Sequence, residues 1–427
     1  MHRSRRRVLA AAALAAAALT VSQAPAMAST PKDVATGTRL AARTNPAVQL
    51  IQQLYGAKVV VPKPKVNKAF KALMLKAQQN AKAGRIPADH QSQLKWALGQ
   101  AVLDADRYLD PAAGQKRTKA EVTNTLCTGW WMTPNGYMVT GAHCVEMAKP
   151  MIRTSLGQKV LPKLNEADAL AMLAQYGRNA EPTPEIGQLA MKLFGAFNTK
   201  HMQLVGLKHG MFVISVKNTA TPLTLVAKGA AWPGEDFALL KMKGAKNLPT
   251  VSLGLDTDVR VGDSLYINGF PGPITFDENL DLRSRLYPTL TEGAYNAKRL
   301  SVKGVPYIQS QAPSYHGNSG GPVFSKDGKV IGILIAGTVD QDGTQPENHS
   351  FILPVSIVQK HLAKAGVKPV ESATTRVYNS ALDDFFAGRY RAALPKFRQV
   401  KALYPQHPYV GAFITDTQKA IAAGKSR

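Results

Sequence analysis

Short apolar runs separated by turn residues fill the middle of the chain. These runs predict strands over 126–132, 137–139, 211–216, 237–241, 264–267, 307–308, 323–324 and 330–336. Asn135-Gly136 is typical of a two-residue hairpin turn. Many short strands at this spacing favour two antiparallel barrels over alternating strand and helix units.

The segments on either side of these strands show apolar residues at three- and four-residue spacing. Stretches 48–55, 66–83 and 91–108 therefore predict amphipathic helices, interrupted at Pro62-Lys63-Pro64-Lys65. Segment 110–114 is typical of a linker, so we assign 29–119 to a helical N-terminal region and 120–368 to the strand-rich domain. Whether 29–119 is a propeptide, a pedestal or a partner-binding bundle stays open, with a structural pedestal as the default.

The first 28 residues have the pattern of an export signal. Arginines at positions 3, 5, 6 and 7 precede an alanine-rich apolar run, and Ala26-Met27-Ala28 is a typical cleavage site. Segment 4–9 also resembles the twin-arginine pattern, which indicates export of a folded protein. The apolar run is shorter than the ~20 residues of a spanning helix, so we expect a secreted or extracytoplasmic protein, either released or held at the cell surface.

A glycine-rich turn at Gly317-Asn318-Ser319-Gly320-Gly321 leads directly into an apolar strand. Glycines permit backbone conformations that a β-carbon forbids, so the amides of Gly317 and Ser319 can point into one small pocket. Such a pocket is an oxyanion hole, and Ser319 is then a candidate nucleophile. Structural turns also use serine and glycine, so the assignment depends on a base and a carboxylate elsewhere.

Both groups are present upstream. Val139-Thr140-Gly141-Ala142-His143-Cys144 ends an apolar strand with a histidine, the usual general base at neutral pH. Glu235 and Asp236 begin a later apolar run. Each site alone is more often structural, but three of them in the order His, Asp, Ser favour a nucleophilic triad.

The segments around His143, Asp236 and Ser319 resemble the active-site motifs of the trypsin/chymotrypsin superfamily, which shares this chain order. Three further stretches resemble the HtrA (Deg) type of bacterial serine protease. They are 255–263 with 267–272, then 307–311, and Gly332-Ile333 followed by 351–354. The resemblance covers about residues 122–365.

This resemblance implies a mostly β, chymotrypsin-like double antiparallel barrel with the triad in the cleft between the barrels. Trypsins carry an aspartate six positions before the nucleophile, where this chain has Pro313, and stretch 334–337 carries no basic residue or histidine. We therefore expect a shallow apolar pocket for small or medium aliphatic P1 residues. Its expected residues are Pro313, His316, Ile335, Ala336 and Gly337. His316 is an alternative base, although a place in the pocket wall is favoured.

The only two cysteines, Cys127 and Cys144, lie 17 positions apart. An even count in an exported chain favours a disulfide over a metal site, and free thiols are the alternative. In the superfamily, a bridge at these two places pins the histidine loop to the neighbouring strand. HtrA-type enzymes usually lack it, so this feature is similar to the trypsin-like members.

Two departures from the simple pattern are large. His143 and Asp236 lie 93 positions apart, which predicts a helical insertion over about 160–200 and leaves Glu235 as a rival for Asp236. The insertion is either a lid over the cleft or a surface decoration. HtrA enzymes usually carry a C-terminal PDZ domain, and residues 369–427 do not resemble one. They resemble a tetratricopeptide hairpin turning at Gly388 with one more helix over 409–423, which must pack on the protease domain or a second subunit.

The charge is strongly basic, +25 over the chain and +21 without the signal arginines. Such a surface attracts anionic cell-wall or surface polymers, while no nucleic-acid motif is recognisable. No metal cluster or nucleotide loop is recognisable, so no cofactor is expected. We interpret the chain as an exported serine endopeptidase acting on polypeptides. The alternative is a catalytically silent scaffold that binds an anionic surface or a partner through its helical flanks.

Overall fold

The computed structural model describes residues 34–177, 182–337 and 349–427. Its strands are β1 Val48–Val66, β2 Leu109–Trp131, β3 Tyr137–Thr140, β4 Gln203–Ile214, β5 Ala220–Lys228, β6 Ala238–Lys241, β7 Ser252–Leu253, β8 Ser264–Gly269, β9 Thr289–Leu300, β10 Pro306–Ser310, β11 Pro322–Phe324, β12 Lys329–Gly337 and β13 Ser350–Pro354. The expected signal segment 1–28 lies outside the described residues.

The helices lie at the two ends of the chain and between the strands. They are α1 Thr36–Thr44, α2 Lys68–Lys82, α3 His90–Ala101, α4 Ala105–Tyr108, α5 Lys149–Tyr176, α6 Pro184–His201, α7 Gly272–Thr275, α8 Leu282–Arg285, α9 Val355–Lys364, α10 Ala373–Phe386, α11 Tyr390–Leu403 and α12 Val410–Ala422. Within the described part of the chain, none of them is long and apolar enough to cross a membrane.

The strands form two antiparallel barrels. In the first barrel the order is β1-β2-β3-β6-β5-β4, closed by β1 against β4. In the second the order is β11-β8-β9-β10-β13-β12, closed by β11 against β12, with β7 added parallel to β12. The predicted chymotrypsin-like double barrel is confirmed, and the predicted strands are all part of it.

One core cluster joins the two barrels and therefore fixes the cleft between them. It includes Trp130 and Phe237 from the first barrel and Tyr307, Phe324 and Leu353 from the second, all almost completely buried. Because interiors are close-packed, neither barrel can shift without opening this cluster. Residues at the strand ends facing the cleft are thus held at fixed separations.

The helix predicted over 48–55 was wrong, because these residues begin the long strand β1. From Ile51 to Val61 alternate residues are buried, a period of two, but the buried set includes Gln53, whose polarity hid the alternation. The barrel therefore starts near residue 48 and not near 120. The predicted linker 110–114 is likewise part of β2, which pairs with β1 up to Val66.

The remaining predicted helices are present as α2, α3, α5 and α6, and they pack together. Buried residues of all four, among them Phe70, Leu98, Leu173 and Phe197, form one apolar cluster beside the extended β1-β2 pair. Arg117 on β2 contacts this helical layer through a bond of 2.8 Å to Asp168 of α5. The insertion between His143 and Asp236 thus joins the N-terminal helices in one lobe.

The C-terminal helices α10, α11 and α12 follow the predicted pattern, with Gly388 in the left-handed conformation at φ 73° between the first two. They pack on the double barrel. The Thr375 hydroxyl accepts from the Thr250 amide at 2.7 Å and donates to the Thr250 carbonyl at 3.0 Å. The sequence analysis left open whether these helices pack on the protease domain or on a second subunit. In the structure they pack on the protease domain. The tetratricopeptide resemblance stays a prediction.

His407, just before α12, provides a test of this packing. Its Nδ1 accepts from the Val410 amide at 3.1 Å, and burial, aided by the charge of Lys401, lowers its pKa to about 3. An unfolded histidine titrates near 6.5, so the unfolded chain binds more protons between these values. Stabilisation by the neutral ring is complete above about pH 6.5 and is lost as the pH falls toward 3.

We expect His407→Asn, which keeps an acceptor but does not titrate, to show a flatter acid dependence. Between about pH 6.5 and pH 4, the free energy of unfolding of the wild type should fall by about 3 kcal/mol more than that of the variant. Urea denaturation at several pH values measures this difference. Parallel curves for the two proteins would contradict the assignment.

Candidate active site

The triad candidates come from three separate loops of the double barrel. His143 follows β3, Asp236 precedes β6, and Ser319 lies in the turn before β11. The first two belong to the first barrel and the third to the second barrel, as the resemblance implies. The barrel interface therefore brings together residues that are up to 176 positions apart in sequence.

Asp236 is completely buried and points at His143. Its Oδ2 lies 2.9 Å from Nδ1 of the His143 ring, and its Oδ1 accepts the His143 amide at 3.0 Å. The Trp232 amide donates to Oδ2 at 2.9 Å. Burial acts to raise the pKa of Asp236, but the bonds from His143 and Trp232 outweigh it, and the pKa is lower than usual. The carboxylate is therefore ionised at neutral pH.

Glu235, the alternative to Asp236 as the triad carboxylate, pairs with residues other than His143. Its side chain bonds Lys360 of α9 at 2.8 Å and lies 2.8 Å from His361. The bond from Lys360 lowers the pKa of Glu235. Of the two neighbouring acids, Asp236 is the one in contact with His143.

Gly141 makes room for the histidine ring. A β-carbon at this position would lie 3.0 Å from Cε1 of His143 and 3.3 Å from Oδ1 of Asp236. Any larger residue would therefore crowd the pair. About a third of the His143 side chain is exposed.

The turn around Ser319 has each carbonyl from 316 to 319 bonded to a donor. The His316 carbonyl accepts from the Gly272 amide at 2.6 Å and the Gly317 carbonyl from the Thr128 hydroxyl at 2.7 Å. The Asn318 and Ser319 carbonyls accept from the amides of Gly321 and Thr128, at 2.9 and 2.8 Å.

The amides of the same turn divide into two groups. Asn318 donates to Tyr315 at 3.0 Å and Gly320 donates to Leu334 at 2.7 Å. Those of Gly317 and Ser319 donate to no other group in the described residues. They are the two amides predicted to bind an oxyanion. The turn depends on glycine at 317 and 320, whose φ angles are 102° and 83°.

The Ser319 hydroxyl donates to the Ile335 carbonyl at 3.2 Å. No bond between this hydroxyl and His143 occurs among the described residues, where His143 Nε2 lies 3.5 Å from Cys144 Sγ. Catalytic hydrogen bonds are often loose without substrate and tighten when it binds. In this structure the Ser319 hydroxyl is bonded to the Ile335 carbonyl and not to the candidate base.

The expected pocket residues divide between backbone and side-chain roles. Ile335 offers only its carbonyl, because its side chain is buried in the core cluster between the barrels. Pro313 is half-buried with its carbonyl bonded to Thr291, and His316 is exposed. Ala336 and Gly337 continue β12, and residues 338–348 after them lie outside the described part.

Cys127 and Cys144 form the expected disulfide, which joins β2 to the loop carrying His143. The loop that carries His143 is also held by a polar network that the sequence analysis missed. Gln53, nearly buried in β1, donates to the Cys144 carbonyl and accepts from Tyr55 at 2.6 Å. Tyr55 in turn accepts the Met147 amide at 2.9 Å. The signal for this network in the sequence was a glutamine and a tyrosine within a strand whose residues otherwise alternate between buried and less buried positions.

Comparison with known proteins finds matches over the strand-rich part of the chain. Residues 127–333 match the trypsin-like peptidase domain. A probable periplasmic serine endoprotease, DegP-like, of Pseudomonas putida is 38% identical over 104 residues, which cover 24% of this chain and 19% of that protein. The corresponding protein of Halomonas elongata is 38% identical over 98 residues, covering 23% and 19%. The chain thus spans about a fifth of the length of these relatives.

A solved HtrA-type protease, AlgW with a decapeptide, superposes with a TM-score of 0.39 at 18% identity, over 78% of this chain and 67% of that one. The barrels and the family match define a peptidase-type domain of the trypsin superfamily. This domain is similar to the DegP-like serine endoproteases that match part of it.

The disulfide should be a measurable part of the stability of this domain. A bridge closing a loop of this size contributes on the order of 3 kcal/mol in a chain-entropy model. We expect the double variant Cys127→Ala, Cys144→Ala to lose about that much free energy of unfolding, measured by equilibrium denaturation. Wild-type protein reduced under denaturing conditions should show the same loss. Equal stability of oxidised and reduced chains would contradict this role.

Proposed function

We propose that the chain is an exported serine endopeptidase with Ser319 as nucleophile, His143 as general base and Asp236 as the orienting carboxylate. The observation that carries the proposal is the pairing of a buried, ionised Asp236 with His143 Nδ1, beside a turn whose Gly317 and Ser319 amides donate to no other group in the described residues. The periplasmic serine endoproteases among its relatives support the same reaction class.

The proposed reaction has two stages. Ser319 Oγ attacks the peptide carbonyl carbon while His143 Nε2 takes its proton, and the amides of Gly317 and Ser319 bind the oxyanion. The C–N bond then breaks, the amine leaves with that proton, and an acyl-Ser319 ester remains. Water attacks the ester with the same base, which releases the acid and restores Ser319. Asp236 keeps the imidazole in the required tautomer and stabilises its charged form.

The signal-like segment and the relatives support an extracytoplasmic site of action. The charge of +21 without the signal arginines favours association with anionic cell-wall or surface polymers. The helices after residue 369 offer a surface for a protein partner. Polypeptides are the substrate class, and nucleic acid is not a partner in this proposal.

A second candidate function has one observation in its favour. The Ser319 hydroxyl is bonded to the Ile335 carbonyl and not to the base. A chain that never leaves this arrangement would be a silent protease-like scaffold that binds an anionic surface or a partner.

Fluorophosphonate labelling of purified mature protein separates the two candidates. We expect labelling of the wild type that disappears in Ser319→Ala and His143→Ala. Asp236→Asn should slow labelling by about 10⁴-fold because the histidine then adopts the wrong tautomer. The matched control Glu235→Gln, one residue away, should label at close to the wild-type rate. No labelling of folded, oxidised wild type would favour the scaffold.

The pocket composition gives a separate prediction on specificity. Pro313 and the strand after Leu334 carry no charge that could pair with a basic or acidic side chain. We expect peptides with alanine or valine at P1 to be cleaved faster than those with arginine or glutamate. Mass spectrometry of cleavage sites in a mixed peptide library measures this preference. Fastest cleavage after arginine would contradict the pocket assignment while leaving the triad intact.

A further inference from the structure

Thr128 of β2 belongs to the first barrel but bonds the nucleophile turn of the second. Its hydroxyl donates to the Gly317 carbonyl at 2.7 Å and accepts from the Phe270 amide at 3.0 Å. Its amide donates to the Ser319 carbonyl at 2.8 Å. Its carbonyl accepts from the Thr140 hydroxyl at 2.8 Å. Each polar group of this completely buried residue is therefore bonded, two of them to the turn.

These bonds determine where the amides of the turn point. In a trans peptide the carbonyl and the following N–H point in opposite directions. Holding the Gly317 carbonyl therefore directs the Asn318 amide toward the Tyr315 carbonyl, and holding the Ser319 carbonyl directs the Gly320 amide toward Leu334. The Gly317–Asn318 and Ser319–Gly320 peptides are thus fixed on either side of the Asn318–Ser319 peptide, whose amide donates to no group in the described residues.

The same hydroxyl also sets the other side of the oxyanion pocket. By accepting from the Phe270 amide it fixes the chain just before Gly272, whose amide bonds the His316 carbonyl at 2.6 Å. That bond orients the peptide between His316 and Gly317, so that the Gly317 amide points away from Gly272. The turn lies close to this segment, since a β-carbon at Gly317 would be 2.3 Å from the Phe270 carbonyl.

We propose that Thr128 is a positioning residue that orients the oxyanion-binding amides of Gly317 and Ser319. The inference rests on the proposed function and concerns the same site. A hydroxyl is required because one atom must donate and accept at once, which valine cannot do. A β-branched side chain holds this hydroxyl in one rotamer. The preceding Cys127 is bonded to Cys144, so neighbouring residues of β2 contact both the base loop and the nucleophile turn.

The test compares Thr128→Val with Thr128→Ser. Valine keeps the shape and loses the hydroxyl, and serine keeps the hydroxyl. Removal of one oxyanion donor typically slows a reaction by ~10²–10³-fold, and misorientation of the turn should act similarly. We expect labelling by a fluorophosphonate to slow by about 10²-fold in the valine variant. The serine variant should remain close to the wild type.

Thr375→Val is the matched control. Its hydroxyl also bridges an amide and a carbonyl, those of Thr250, but in the packing of the C-terminal helices. This variant should lose stability and keep the wild-type labelling rate. If Thr128→Val does not fold, Thr128→Ala takes its place, because alanine also lacks the hydroxyl and is smaller.

Two further readouts separate positioning from general damage. The low-field proton resonance of the bond between His143 Nδ1 and Asp236 should be unchanged in folded Thr128→Val, because that pair does not contact Thr128. Binding of a peptide boronic acid, whose adduct places an oxygen in the oxyanion pocket, should weaken by a factor similar to the slowing of labelling.

The outcomes are distinct. Wild type that labels, with folded Thr128→Val labelling equally fast, would overturn the inference and leave the proposed function standing. Slow labelling together with loss of the His143 resonance would also overturn it, since the damage would then lie in the triad. Wild type that does not label at all would overturn the proposed function and, with it, this inference.

Discussion

A completely buried carboxylate must be given hydrogen-bond donors. Within the described residues, Asp236 obtains them from the ring and amide of His143 and the amide of Trp232. Loss of these donors would leave an uncompensated charge between the barrels, which is strongly destabilising. This requirement favours the arrangement with the histidine ring turned toward Asp236, for which Gly141 leaves space.

The nucleophile turn obeys the same requirement with backbone groups. Its four carbonyls from 316 to 319 accept from Gly272, Thr128 and Gly321, and two of its amides are also bonded. The amides left over are those of Gly317 and Ser319. Satisfying the other polar groups of the turn thus leaves these two donors without a partner among the described residues. The stability of the turn and the preorganisation of the proposed oxyanion site have the same physical origin.

Much of this site was predictable from sequence because its parts are local motifs. Gly317 to Gly321, His143 after its strand and Asp236 before its own each have a recognisable pattern, and the chain order connects them. The strand β1 was not predictable in the same way. Its polar Gln53 is buried with bonds to Tyr55, two positions away, and to Cys144 and His209, which are distant in sequence. Thr128 was missed for a similar reason, since its four bonds are made to segments that lie up to 191 positions away.

The most direct measurement of the central claim is a crystal structure of the protein after reaction with an alkyl fluorophosphonate. The account predicts phosphorus bonded to Ser319 Oγ, with that atom moved away from the Ile335 carbonyl. The phosphoryl oxygen should lie within hydrogen-bond distance of the amides of both Gly317 and Ser319. An unmodified Ser319 after prolonged exposure, or an adduct whose oxygen contacts neither amide, would contradict the account.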